Sequence, residues 1–110
     1  MKLPSGERAI IDAQKVTGYC LDPEHDDGRH KAHLFATLLG LNVSNADLLL
    51  SALKEAAATG ATVTGKLDKF GQRYVIDFEF TGPGGTAAVR SAWIVRKGES
   101  LPRLVTCYIL

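Results

Sequence analysis

The chain has 110 residues, of which 45% are hydrophobic and 23% charged, close to the globular average, and one domain spanning residues 1–110 is the natural reading. Its net charge of +1 and pI near 7.8 argue against a nonspecific polyanion binder, although a local basic patch remains compatible with them. No run approaches the roughly 18–20 apolar residues that a bilayer span needs, and the N-terminus lacks the apolar stretch of a secretory signal.

The predicted elements begin after an irregular lead-in over residues 1–8. Ile10, Ile11, Val16 and Tyr19 fit a short helix from Ile10 to Tyr19, with Asp12 near its start. The stretch Asp22-Pro23-Glu24-His25-Asp26-Asp27-Gly28 reads as a loop, because proline resists helix continuation and Asp-Gly favours a turn. A second helix is expected from Arg29 to Leu39, with Lys31, Leu34, Phe35 and Leu38 on its apolar face and Gly40 as its left-handed stop. A third helix starts at the N-cap Ser44, carries Leu49, Leu50, Leu53, Ala56 and Ala57 as its stripe, and closes at Gly60.

After Gly60 the period changes to two. Residues 61–67 are β-prone and Asp68-Lys69-Phe70-Gly71 is a turn. Tyr74, Ile76, Phe78 and Phe80 then alternate with Arg73, Val75, Asp77 and Glu79. Gly82-Pro83-Gly84-Gly85 supplies a hairpin loop, and strands over 87–96 and 103–109 follow. Strict alternation sets Leu104, Thr106 and Tyr108 on one side of the last strand and Arg103, Val105, Cys107 and Ile109 on the other. Short connections imply antiparallel neighbours. The expected fold is therefore α+β, with two or three N-terminal helices packed on a four-stranded antiparallel meander.

Chemistry-bearing residues concentrate at His25, Arg29, His30, Lys31 and His33. Three readings compete: a three-histidine metal site, a proton-transferring histidine beside a lysine, and a solvated helix surface. Lys31 falls on the apolar face, so its ammonium must reach out to water or meet a partner. Trp93 is most simply a core anchor, since stacking on a base would require exposure. Thr106 and Tyr108 can be ordinary cross-strand pair residues. Cys20 and Cys107 match neither a redox motif nor zinc-site spacing, and two reduced thiols are expected, with a single bridge from first helix to last strand as the alternative. The glycine-rich hairpin is no phosphate loop, because it joins two strands and lacks the following Lys-Ser/Thr.

The segments Ala9-Ile10-Ile11, Lys15, Tyr19-Cys20-Leu21-Asp22-Pro23-Glu24-His25, Gly28, Lys31-Ala32 and Leu39-Gly40 together carry a further signal. With Gly71-Gln72-Arg73-Tyr74, Thr81-Gly82, Ala92-Trp93-Ile94-Val95 and Pro102-Arg103-Leu104-Val105-Thr106-Cys107-Tyr108, they make nearly the whole chain resemble the C-terminal toxin domains of bacterial polymorphic toxins. Many such domains are similar to the barnase–EndoU–RelE-like ribonucleases, which set helices before a four-stranded meander. The resemblance implies metal-independent, cofactor-free cleavage of RNA, transfer RNA included, by attack of the 2′-hydroxyl on the phosphodiester. It assigns His25 as general base or acid and Lys31 and Arg73 as phosphate stabilisers. Thr106 and Tyr108 become phosphate or proton-transfer groups, and Lys15, Trp93 and Arg103 substrate contacts. It also implies a cognate immunity or antitoxin partner and action in the cytoplasm, without a membrane. The competing reading is a non-catalytic binding module, such as an antitoxin, immunity protein or adaptor.

Overall fold

The computed structural model describes residues 1–110 and has the expected order of elements: helices first, then the sheet. Helix α1 covers Ala13–Lys15 and continues as a wider π-helical turn over Val16–Cys20. Helix α2 is Arg29–Leu39 and α3 is Ala46–Thr59. Strands β1 (Thr62–Asp68), β2 (Gly71–Gly82), β3 (Gly85–Arg96) and β4 (Arg103–Ile109) form one antiparallel sheet in sequential order. No single helix is long and apolar enough to cross a membrane.

The start of the first helix differs from the expectation. Asp12 accepts a hydrogen bond from the Gln14 N–H and so caps the helix two residues after Ile10. Ile10 instead runs parallel to the start of β4, donating its N–H to Pro102 and accepting that of Leu104. Helix α2 has the expected bounds, and Gly40 ends it in the left-handed region at φ 67°. Its buried face, however, is Ala32, Phe35 and Leu39, while Leu34 and Leu38 point to solvent. The 3.6-residue repeat fits either stripe, and the sheet beneath selects the one that seats Phe35 and Leu39. Ser44 is not the cap of α3. Asn42 caps a 3₁₀ turn over Val43–Asn45 that leads into the helix: its side chain accepts the Ser44 N–H, and the Asn45 side chain accepts the Asn42 N–H.

One face of the sheet carries the core. Ile76 and Phe80 of β2, Val89 and Trp93 of β3, and Leu104, Cys107 and Ile109 of β4 pack against Phe35, Leu39, Leu49 and Leu53 of the helices. Burying each large side chain of this set contributes roughly 1.5–3 kcal/mol. Trp93 is fully buried, and its indole N–H donates to Ser91 Oγ, which in turn donates to the Ile76 carbonyl. This corrects its expected role as a substrate contact: no base can stack on it.

β4 departs from strict alternation. Its pairing with β3 sets Thr106 opposite Ala92 but Leu104 opposite Trp93, so Val105 is an extra residue forming a bulge. Leu104 therefore faces the core together with Cys107 and Ile109. Thr106 and Tyr108 turn to the outer face, in register with Ala92 and Arg90. The expected grouping of Leu104 with Thr106 and Tyr108 is thus reversed by one inserted residue.

Candidate functional site

The outer sheet face can be read from register and alternation. Arg73, Ile94 and Arg103 lie opposite one another across β2, β3 and β4. The next outward row is Val75, Ala92 and Thr106, and the next is Asp77, Arg90 and Tyr108. Asp77 and Arg90 form a two-bond ion pair, with Nε and Nη2 donating at 2.8 and 2.9 Å. This contact with the Arg90 guanidinium holds the Asp77 carboxyl below its ordinary range. Tyr108 stands directly opposite Arg90 across the β3–β4 pair.

At the free edge of β4, the half-buried Lys31 arrives from α2. Its Nζ donates to the Tyr19 hydroxyl at 3.3 Å and to Thr106 Oγ1 at 3.5 Å. It also lies 4.9 Å from the centre of the Tyr19 ring and 5.3 Å from that of Tyr108. The partner anticipated for a lysine on an apolar face is therefore a cage of two tyrosines and a threonine. An ammonium has three N–H groups, and the two long bonds leave one of them, with the charge, for a ligand. In the sequence Tyr19 stands out only as an apolar position of the first helix. Its hydroxyl joins the site because the π-helical turn carries it, with Cys20, to the β4 edge.

His25 joins this group through Tyr19, against whose ring it packs edge-on at 4.7 Å. Its Nδ1 accepts two backbone N–H bonds, from Asp27 and Gly28, each at 3.1 Å. A ring nitrogen accepting in this way carries no proton, so the neutral imidazole has its proton on Nε2. In this arrangement Nδ1 is engaged by the backbone and Nε2 is the ring nitrogen left to act, as a donor in the neutral ring. His30 and His33 do not join it: both line a cavity of about 570 Å³ on the helical side, with Leu21, Pro23, Leu41 and Val43. Nowhere do three His, Cys, Asp or Glu side chains stand close enough together to hold a metal ion.

Beneath the tyrosine cage lie the two thiols. The Cys107 Sγ donates to the Cys20 Sγ at 3.6 Å, far beyond the roughly 2.05 Å of a disulfide, so the alternative bridge is not formed. That hydrogen bond lowers the Cys20 thiol to about 6 against the opposing effect of burial, with Thr106 and Lys31 adding to it. The same contact, and burial, push the Cys107 thiol up. The one contact thus moves the two thiols in opposite directions.

Arg73, Lys15 and Arg103 are not part of the Lys31 group. They line a second cavity of about 290 Å³ on the outer face, with Arg96, Phe70 and Ile94. Arg73 stands two strands across from Arg103, so about 10 Å of sheet separates it from the β4 edge. Its Nε is bound to Asp68 at 3.2 Å. The sequence-predicted residues therefore divide into two neighbouring sets: His25, Lys31, Thr106 and Tyr108 at the β4 edge, and Lys15, Arg73 and Arg103 in the adjoining cavity. The Lys31 set lines neither this cavity nor the larger one on the helical side, and its members are half-buried.

Residues 2–110 match the family described as a domain of unknown function, DUF6883. The chain belongs to that family. No curated protein matches this DUF6883 domain. Its fold is similar to that of a chain in a contact-dependent growth inhibition toxin–immunity protein complex from Klebsiella pneumoniae 342, with a TM-score of 0.69. The two are 18% identical, and the likeness covers 94% of this chain and 95% of that one. At this identity the likeness establishes the fold, helices and meander together, and leaves the chemistry to the side chains.

Proposed function

We propose that this domain is a ribonuclease of toxin type, cleaving RNA through attack of the 2′-hydroxyl on the adjacent phosphodiester. The observation that carries the reading is the convergence of Lys31, Tyr19, Thr106 and Tyr108 at the β4 edge, outside both cavities. An extended polymer can cross such an edge, where an enclosed pocket would select a small molecule. The free N–H of Lys31 meets a non-bridging phosphate oxygen and stabilises the charge that develops as the phosphorus becomes five-coordinate. Thr106 holds the ammonium in place. The Tyr19 hydroxyl, which accepts from the ammonium, takes the 2′-hydroxyl proton as it passes its own toward the departing 5′-oxygen, and the Tyr108 ring steadies the ammonium from its other contact. His25 contributes its Nε2–H as a donor and fixes the Tyr19 ring. The fold shared with a member of a toxin–immunity complex supports the toxin class and a cognate partner protein. On this reading the site of action is the cytoplasm.

Transfer RNA incubated with the purified domain in chelator-containing buffer is the test. Cleavage leaving 2′,3′-cyclic phosphate ends is expected, and Lys31→Met should reduce it by about 100-fold or more. Intact RNA from folded protein, together with unimpaired growth of cells expressing it, would count against the assignment. The second reading, an immunity or other binding module, draws on the fact that the similar fold comes from a complex containing both kinds of protein. Stoichiometric capture of a toxin with no RNA turnover would establish it instead.

A further inference from the structure

The outer-face cavity beside the proposed catalytic edge has a composition of its own. Four cations line it, Lys15, Arg73, Arg96 and Arg103, against one lining carboxylate, Asp12, which is engaged in capping α1. Two more carboxylates stand at the rim. Asp68 takes the Arg73 Nε, and Glu99 takes the Arg103 Nε and Nη2. Those pairs hold both guanidinium planes in place yet leave N–H groups on each free. Lys15 and Arg96 have no ion-pair partner. The floor is apolar, with Ile94 nearly buried although it lies on the outer face. At one side Phe70, 59% exposed, presents its ring.

Positioned guanidiniums, two unpaired cations, an apolar floor and an exposed aromatic ring suit an anion joined to a flat ring system. We infer that this cavity binds a nucleotide of the RNA flanking the one cleaved, its phosphate on Lys15, Arg73, Arg96 and Arg103 and its base against Phe70 and Ile94. The inference rests on the ribonuclease reading and extends it, since it moves Arg73 from the reacting phosphate to a neighbouring one. A volume of about 290 Å³ lies at the lower limit of small-molecule sites and fits a single nucleotide. Arg103 in the cavity and Thr106 beside Lys31 stand three residues apart on β4, about 10 Å along the strand, so a single RNA strand can occupy both.

Fluorescence anisotropy with labelled 2′-O-methyl oligoribonucleotides, which lack the attacking hydroxyl, separates binding from cleavage. The intact domain should bind a tetranucleotide more tightly than a dinucleotide. Lys15→Gln and Arg96→Gln, both at side chains free of ion pairs, should each lower tetranucleotide affinity and reduce the slope of log affinity against log salt by about 0.7. Phe70→Ala should weaken binding by about tenfold without changing that slope. Unaltered affinity and slope in all three variants, each folded by circular dichroism, would overturn the inference. RNA cleavage by the same preparations keeps the two readings apart. Variant-sensitive binding without cleavage retains this nucleotide site and removes the catalytic proposal; cleavage with variant-insensitive binding does the reverse.

Discussion

His25 shows how a single ring can hold a loop and a site at once. Its Nδ1 takes the N–H groups of Asp27 and Gly28, and Gly28 sits so close to the Tyr19 carbonyl that a Cβ there would come within 2.3 Å of its oxygen. Removing the ring frees two donors in a tightly folded turn. His25→Ala is therefore expected to lower stability by about 1 kcal/mol, measurable by urea unfolding. His25→Asn should recover most of that loss, because an asparagine oxygen accepts from the N–H two residues on, without restoring the contact with Tyr19. Unequal recovery of stability and of RNA cleavage would separate the two duties of the ring. The sequence could show that His25 lay in a loop near Lys31. Which of its nitrogens faces the backbone depends on the turn's three-dimensional path, and no spacing rule encodes that.

At the scale of elements, the most constrained junction is the one between the end of α2 and the β2–β3 hairpin. The Gly84 N–H donates to the Leu39 carbonyl, and a Cβ on Gly82 would fall 2.3 Å from the same oxygen. Gly40 closes the helix at φ 67°, with Gly84 directly against it. The glycines of the hairpin thus serve a docking contact as well as a turn. Gly82→Ala should destabilise the domain by about 2 kcal/mol, seen as a lower urea midpoint, since backbone rather than a movable side chain obstructs the new methyl group. Helix α2, the Gly40 stop and the apolar stripe of α3 were legible because each rests on local chemistry. The rotation of α2 and the cap at Asn42 were not, because the partner surface and a 3₁₀ lead-in decide them. The tyrosine cage was equally hidden: it joins a π-helical turn, a helix and the last strand, elements separated by 75 residues between Lys31 and Thr106.

For the molecule as a whole, a net charge of +1 conceals an uneven distribution. Three arginines on or beside the outer face are matched to carboxylates: Arg73 with Asp68, Arg90 with Asp77, and Arg103 with Glu99. All three carboxyls are held below their ordinary range. For Asp68 the Phe70 N–H is the largest cause, with Arg73 adding to it against the opposing effect of desolvation, whereas Asp77 and Glu99 owe it first to hydrogen bonds from their arginines. The unfolded chain consequently takes up protons before the folded one as pH falls. The contribution of these pairs to stability is fully present above the ordinary carboxylate range and disappears as pH drops through the lowered folded values. Thermal melting should show Tm falling below about pH 4, and Asp77→Asn should make that fall shallower. An unchanged acid dependence in the variant would mean that the pair does not differ between folded and unfolded states.

The bulge at Val105 gives the last strand a change of parity. Up to Leu104, even-numbered positions belong to the interior; from Thr106 onward, they belong to the surface. An alignment of related strands that ignores this extra position will match a surface threonine to an interior cysteine and take the difference for divergence. The residue that sets the phase has no reactive group of its own. Its presence, more than its identity, decides whether a hydroxyl or a thiol meets the solvent.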